Sequence, residues 1–169
     1  HSHPATETGL KQIAIFEEEG VDLTKVLIGH CGDTDQLDYI ERVLSYGVMI
    51  GMDRYGISRV LPTEKRNATV MSLIEKGYVE QMFLSQDYCC TTDLYKPNHL
   101  KKNVHADWSM TYLLHTVIPL LKEQGMTQKE RIVQYLLYCT AFSAHSLATS
   151  FHHSATYRIM LLQANPSLL

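Results

Sequence analysis

Two periods of apolar and polar positions alternate along this chain. Residues 9–19 follow the helical period, with Leu10, Ile13 and Phe16 on one face and Gly20 as the stop. Residues 25–29 are a short apolar run that reads as a strand. The helical period returns over 35–46, with Leu37, Ile40 and Leu44 inward, Asp33 or Thr34 as cap and Gly47 as stop. Residues 48–52 predict a second strand, and 63–76 a third helix, opened by "TEKR" after Pro62 and closed by Gly77. A third strand over 81–85 precedes a longer loop, 88–107, and a helix over 108–124 that Pro119 would kink.

A βα order with connections of a few residues demands a parallel sheet with helices outside. The predicted strands are apolar throughout, so both faces are expected to be buried. Polar, reactive residues gather just past each strand: His30 and Asp33, then Asp53 and Arg54, then Asp87 and Tyr88. In parallel α/β folds the carboxyl ends of the strands form the active face.

The 169 residues are 45% hydrophobic and 20% charged, enough for one core. A net charge of -3 favours neither nucleic acid nor an anionic membrane as partner. The apolar runs fall short of the roughly 20 residues of a membrane span, and no secretory leader pattern opens the chain. The four cysteines, Cys31, Cys89, Cys90 and Cys139, form no CxxC pair. That usage suits a reduced, cytoplasmic protein and argues against structural zinc on thiolates. The first residue is His rather than Met, as expected of a processed or truncated chain or of an incomplete gene model.

Imidazoles and a carboxylate at successive strand ends suit zinc or a similar divalent ion, which would make hydroxide available near neutral pH. On this reading His1, at the end of a strand lying upstream, and His30 are candidate ligands, and Asp87 is the candidate proton carrier. Plainer readings stand beside it. A histidine after a strand also serves as a hydrogen-bonded loop residue, Asp33 and Asp35 as helix caps, and Arg54 as a surface charge. His3 reads as a loop residue, and His152 and His153 as solvated.

Four motifs in order, "GHCGDTDQLDYI", "IGMDRYG", "LPTEKRN" and "LSQDYCCTTD", resemble the phosphotriesterase family of the amidohydrolase superfamily, most closely its phosphotriesterase-like lactonases. The resemblance runs from residue 1 to about 128. It implies an α/β fold, the C-terminal half of a (β/α)8 TIM barrel from the end of strand five onward. It also implies a metal-dependent hydrolase that opens lactones or phosphotriesters with a metal-activated hydroxide. Two divalent metals are implied per complete site, zinc first, with Co, Mn or Fe as alternatives. His1 and His30 would bind the more exposed metal and Asp87 the more buried one. Asp87 would pass its proton outward through Arg54 and Asp33. Tyr88, Cys89 and Arg54 would meet the substrate, a small lactone, ester or organophosphate; related barrels suggest a homodimer.

The chain departs from the family pattern in places. The first-strand His-x-His pair and the bridging lysine are absent, so this stretch alone is expected to carry half of a two-metal site and to be inactive. A noncatalytic half barrel that binds metal or a partner is the alternative. Leu94 stands where an aromatic is usual. Residues 129–158 resemble nothing in the family and read as a divergent insertion or an unspliced intron, whereas 159–169 return to a family-like C-terminal helix end.

Overall fold

The computed structural model describes residues 1–88 and 107–127, all within one unit, His1–Leu137. The expected boundaries at 128/129 and 158/159, together with Cys89, lie outside the described residues.

Three strands, β1 (Leu27–Ile28), β2 (Met49–Met52) and β3 (Met82–Leu84), form one parallel sheet in the order β1-β2-β3. Ile28 sits opposite Ile50, and Ile50 opposite Met82. Helix α1 (Thr8–Glu18) precedes β1, and α2 (Leu37–Leu44) and α3 (Thr63–Glu75) connect the strands in turn. Among the described residues the last helix, α4 (Ile118–Glu123), follows a π-helical turn, Leu113–Val117. Ile13, Ile40, Val43, Val70, Leu73 and Leu121 bury the inner helix faces against Ile28, Ile50, Met52 and Met82. Among the described residues no helix is long and apolar enough to cross a membrane.

The helix stops share one device. Gly77 has φ 88° and donates to Ile74, while Tyr78 reaches back to Leu73 at 3.0 Å. Only glycine adopts that backbone freely. The same pair of bonds closes α4 through Gly125 and Met126.

The local expectations fail where a side chain has another partner. Asp22 accepts from the backbone N–H and hydroxyl of Thr24, winding Leu23–Lys25 into a 3-10 turn, so β1 is shorter than 25–29. Leu27 in β1 is 47% exposed, so that strand is not buried on both faces. Neither Asp33 nor Thr34 caps α2: Gln36 holds the cap position without a side-chain bond. Asp35 binds Lys65 at 3.0 Å, and Asp33 is committed to arginines. "TEKR" makes no capping bond, because the Thr63 hydroxyl pairs with Tyr112 at 3.1 Å. The helix expected over 108–124 starts later, near Tyr112, and is π-wound over Leu113–Val117 just before Pro119, the kind of distortion a missing N–H inside a helix produces.

Gly56 ties β2 to the returning chain. Its φ is 90°, and a Cβ there would lie 2.9 Å from the Trp108 Cα. Gly56→Ala therefore combines backbone strain with overpacking, and a loss of about 3 kcal/mol in urea unfolding is expected. A variant as stable as the parent would show that Trp108 is free to retreat.

Candidate active site

Each strand hands over to a reactive residue in the same way. His30, Arg54 and Asp87 follow β1, β2 and β3, with φ of 66°, 63° and 51°. A residue with a Cβ holds such a backbone at about 1–3 kcal/mol, and only where its surroundings fix it. Asp and His tolerate the left-handed region better than Arg does.

At the first strand end the fixing group is Asp53. Its Oδ2 accepts from the His30 backbone N–H at 3.0 Å, and its Oδ1 faces His30 Nδ1 at 2.9 Å. A carboxylate only accepts, so Nδ1 carries the hydrogen, which leaves Nε2 as the nitrogen whose lone pair a neutral ring would offer. That lone pair meets His1: Nε2 and His1 Nδ1 stand 2.5 Å apart, with ring centroids at 4.5 Å. Ser2 holds His1 there by donating its N–H and hydroxyl to Gly29 O, at 3.0 and 2.6 Å, on the outer edge of β1. Gln12 of α1 adds a bond to His1 O at 2.6 Å.

Two imidazole nitrogens converging, one of them aimed by a carboxylate, are a donor set that fits a zinc-like divalent ion. Among the described residues no group of three or more His, Cys, Asp or Glu forms a cation site. His3 is a loop residue as expected, exposed and near Thr6 at 3.3 Å.

A second cluster lies at the other two strand ends. Arg54 Nη1 donates to Asp33 Oδ2 at 2.7 Å, and its Nε approaches Asp87 Oδ2 at 3.4 Å. Burial alone would lower the Arg54 pKa, but Asp33 and Asp87 outweigh it and the net direction is up. The guanidinium is 30% exposed, enough to face a ligand. The Asp33 side chain is 8% exposed and also faces Arg66. Asp87 thus stands with Arg54 rather than in a group with the histidines.

Tyr88 packs edge-on to Trp108, with centroids 5.1 Å apart. Trp108 donates its indole N–H to Gln86 O at 2.5 Å. Cys31 lies under the site, and burial pushes its thiol pKa up to about 12, so it is an inert core group.

Sequence reasoning assigned no role to Asp53 or Arg66. The signal for Asp53 was Gly51 inside a strand: a Cβ there would lie 2.6 Å from Asp53 Oδ2. The signal for Arg66 was its spacing from Val70 and Leu73, which puts a charge on the apolar face of α3.

The chain has relatives of known sequence and structure. The sequence pattern of the phosphotriesterase family matches residues 1–140. An aryldialkylphosphatase of Saccharolobus solfataricus is 45% identical over 131 residues, 76% of this chain and 41% of that protein. The structure of the phosphotriesterase from Mycobacterium tuberculosis superposes with a TM-score of 0.76 at 35% identity, covering 80% of this chain and 42% of that one. The phosphotriesterase homology protein of Escherichia coli, solved with phosphate in its active site, gives 0.64 at 34% identity, covering 75% and 41%. The chain thus spans about two fifths of the length of these relatives. Its three parallel strands and outer helices are consecutive units of the C-terminal half of a (β/α)8 barrel, and the chain belongs to the phosphotriesterase family.

Proposed function

We propose that these units carry one half of the active face of a metal-dependent hydrolase acting on phosphotriesters or lactones. The observation that carries the reading is the His1–His30 pair, aimed by Asp53 and sharing the strand-end face with Arg54, Asp33 and Asp87. The S. solfataricus name and the phosphate in the E. coli structure support the phosphoester side. "DYCC", Asp87 to Cys90, supports the lactonase side.

His1 and His30 would hold the divalent ion, zinc first and Co, Mn or Fe as alternatives. When bound, such an ion supplies Lewis acidity and lowers the pKa of water. Asp53 keeps His30 in the tautomer that can ligate. Asp87 takes the proton released as water attacks. Arg54 holds that carboxylate by Nε and Asp33 by Nη1, so charge gained or lost at Asp87 is felt at Asp33. The exposed part of Arg54 is placed to meet a phosphoryl or carbonyl oxygen, and Tyr88 offers an aromatic wall. Cys89, outside the described residues, belongs to the same proposed wall.

The ligand pair, with no third donor beside it among the described residues, also favours the second reading, a half barrel that binds metal without turnover. Zinc titration into the chain, followed by assay with a dialkyl aryl phosphate and an acyl lactone, separates the two. Hydrolysis that vanishes with a chelator and returns with zinc supports the hydrolase. Zinc uptake without hydrolysis supports the second reading, and hydrolysis indifferent to chelation overturns the metal-dependent mechanism.

A further inference from the structure

Arg66 is fully buried and heads the largest side chains withdrawn from solvent. A guanidinium on the core face of a helix is unfavourable unless it is paired. Its Nη1 donates to Gly32 O, its Nη2 lies 3.5 Å from Asp33 Oδ1, and its Cζ sits 5.4 Å from the Tyr55 ring centroid. Among the described residues neither Nη2 nor Asp33 Oδ1 has a hydrogen-bond partner, so the opposite charge is what each faces. Burial lowers the Arg66 pKa, while Tyr55, Asp33 and Asp53 act against it.

The approach is built into the sequence. A Cβ at position 32 would lie 2.8 Å from Arg66 Nη1 and 2.9 Å from the Met52 Cα. Gly32 therefore opens the path by which α3 reaches the Cys31–Asp33 turn. Asp33 is left between two guanidiniums, with Arg66 behind at Oδ1 and Arg54 in front at Oδ2.

We propose that Arg66 is a positioning residue: it fixes the Asp33 carboxylate from behind, and so fixes the Arg54 guanidinium that faces Asp87. The role in turnover rests on the reading of Asp87, Arg54 and Asp33 as the proton-handling line. Arg54 is partly exposed and sits on left-handed backbone, so its direction depends on what holds its far end. A side chain that merely filled the core would be replaced by Met without effect on Arg54.

The test uses the full chain with Arg66→Met, Arg66→Lys and, in parallel, Asp33→Asn. The Arg54 Nε–H resonance is followed by NMR, and zinc-dependent hydrolysis of a dialkyl aryl phosphate by initial rates. Arg66→Met is expected to shift or broaden the Arg54 signal while the Gln81 side-chain amide, bonded to Leu44 O and Val48 O, stays in place. Turnover should fall about 10- to 100-fold in kcat with KM unchanged, and Arg66→Lys should recover part of it. An unchanged Arg54 signal in folded Arg66→Met overturns the proposal. If that variant fails to fold, Arg66→Lys decides, since lysine lacks the fork that spans Gly32 and Asp33 and the Arg54 signal must still move. A moved Arg54 signal with normal turnover in Asp33→Asn leaves the positioning intact and removes the proton-handling reading instead. Where no turnover is measurable, the Arg54 signal alone settles the positioning.

Discussion

Asp87→Asn is expected to slow hydrolysis of a dialkyl aryl phosphate by about 100- to 10,000-fold, the range over which a positioned acid or base contributes. Charge, not shape, decides the effect. Asn has nearly the same volume as Asp and is equally at home at φ 51°, so the turn after β3 should survive. What is lost is the carboxylate that faces Arg54 and is proposed to take the proton. Arg54 keeps Asp33, so the cluster should hold together while its proton acceptor is gone. Equal thermal midpoints with a collapsed kcat are the expected pair of results. Near-normal kcat would remove Asp87 from the chemistry.

His30→Ala is expected to weaken zinc binding by more than about 100-fold, beyond what losing an outer partner does. The substitution deletes one of the two converging nitrogens and leaves His1 alone at the surface. Asp53→Asn is expected to fall between the two, weakening binding about 10- to 100-fold. Asn in place of the carboxylate can donate as well as accept, so it no longer forces the hydrogen onto Nδ1 and the lone pair onto Nε2. Competition against a chromophoric chelator ranks parent, Asp53→Asn and His30→Ala directly. Zinc held by His30→Ala as tightly as by the parent would place the ion elsewhere.

The architecture was legible because it depends on long-range repetition. Three apolar runs separated by helical periods define parallel βα units whatever happens at their ends. The ends were not legible, because there a side chain chooses among partners distant in sequence. Asp33 looks like a cap beside α2, yet arginines 21 and 33 positions away hold it. Thr63 looks like a cap of α3, yet Tyr112 takes its hydroxyl.

The candidate site shows the same division. The family motifs named His30, Arg54, Asp33 and Asp87, and the geometry joins the last three in one hydrogen-bonded line and sets His30 against His1. Their roles are proposals. Asp53 and Arg66 escaped because their partners come from neighbouring units: Asp53 reaches back from β2 to His30, and Arg66 from α3 to Gly32. In each case a glycine marks the close approach, Gly51 for the carboxylate and Gly32 for the guanidinium. A glycine in or just after an apolar strand is therefore the local sign that a buried polar side chain crosses there.

His1 and His30 are proposed to bind one divalent ion at the end of β1. X-ray absorption at the zinc edge of the zinc-loaded chain tests it most directly, because imidazole rings leave a distinct multiple-scattering signature. Two imidazole ligands in the parent, falling to one in His30→Ala, is the predicted result. A first shell dominated by sulfur, or one that His30→Ala leaves unchanged, would contradict it.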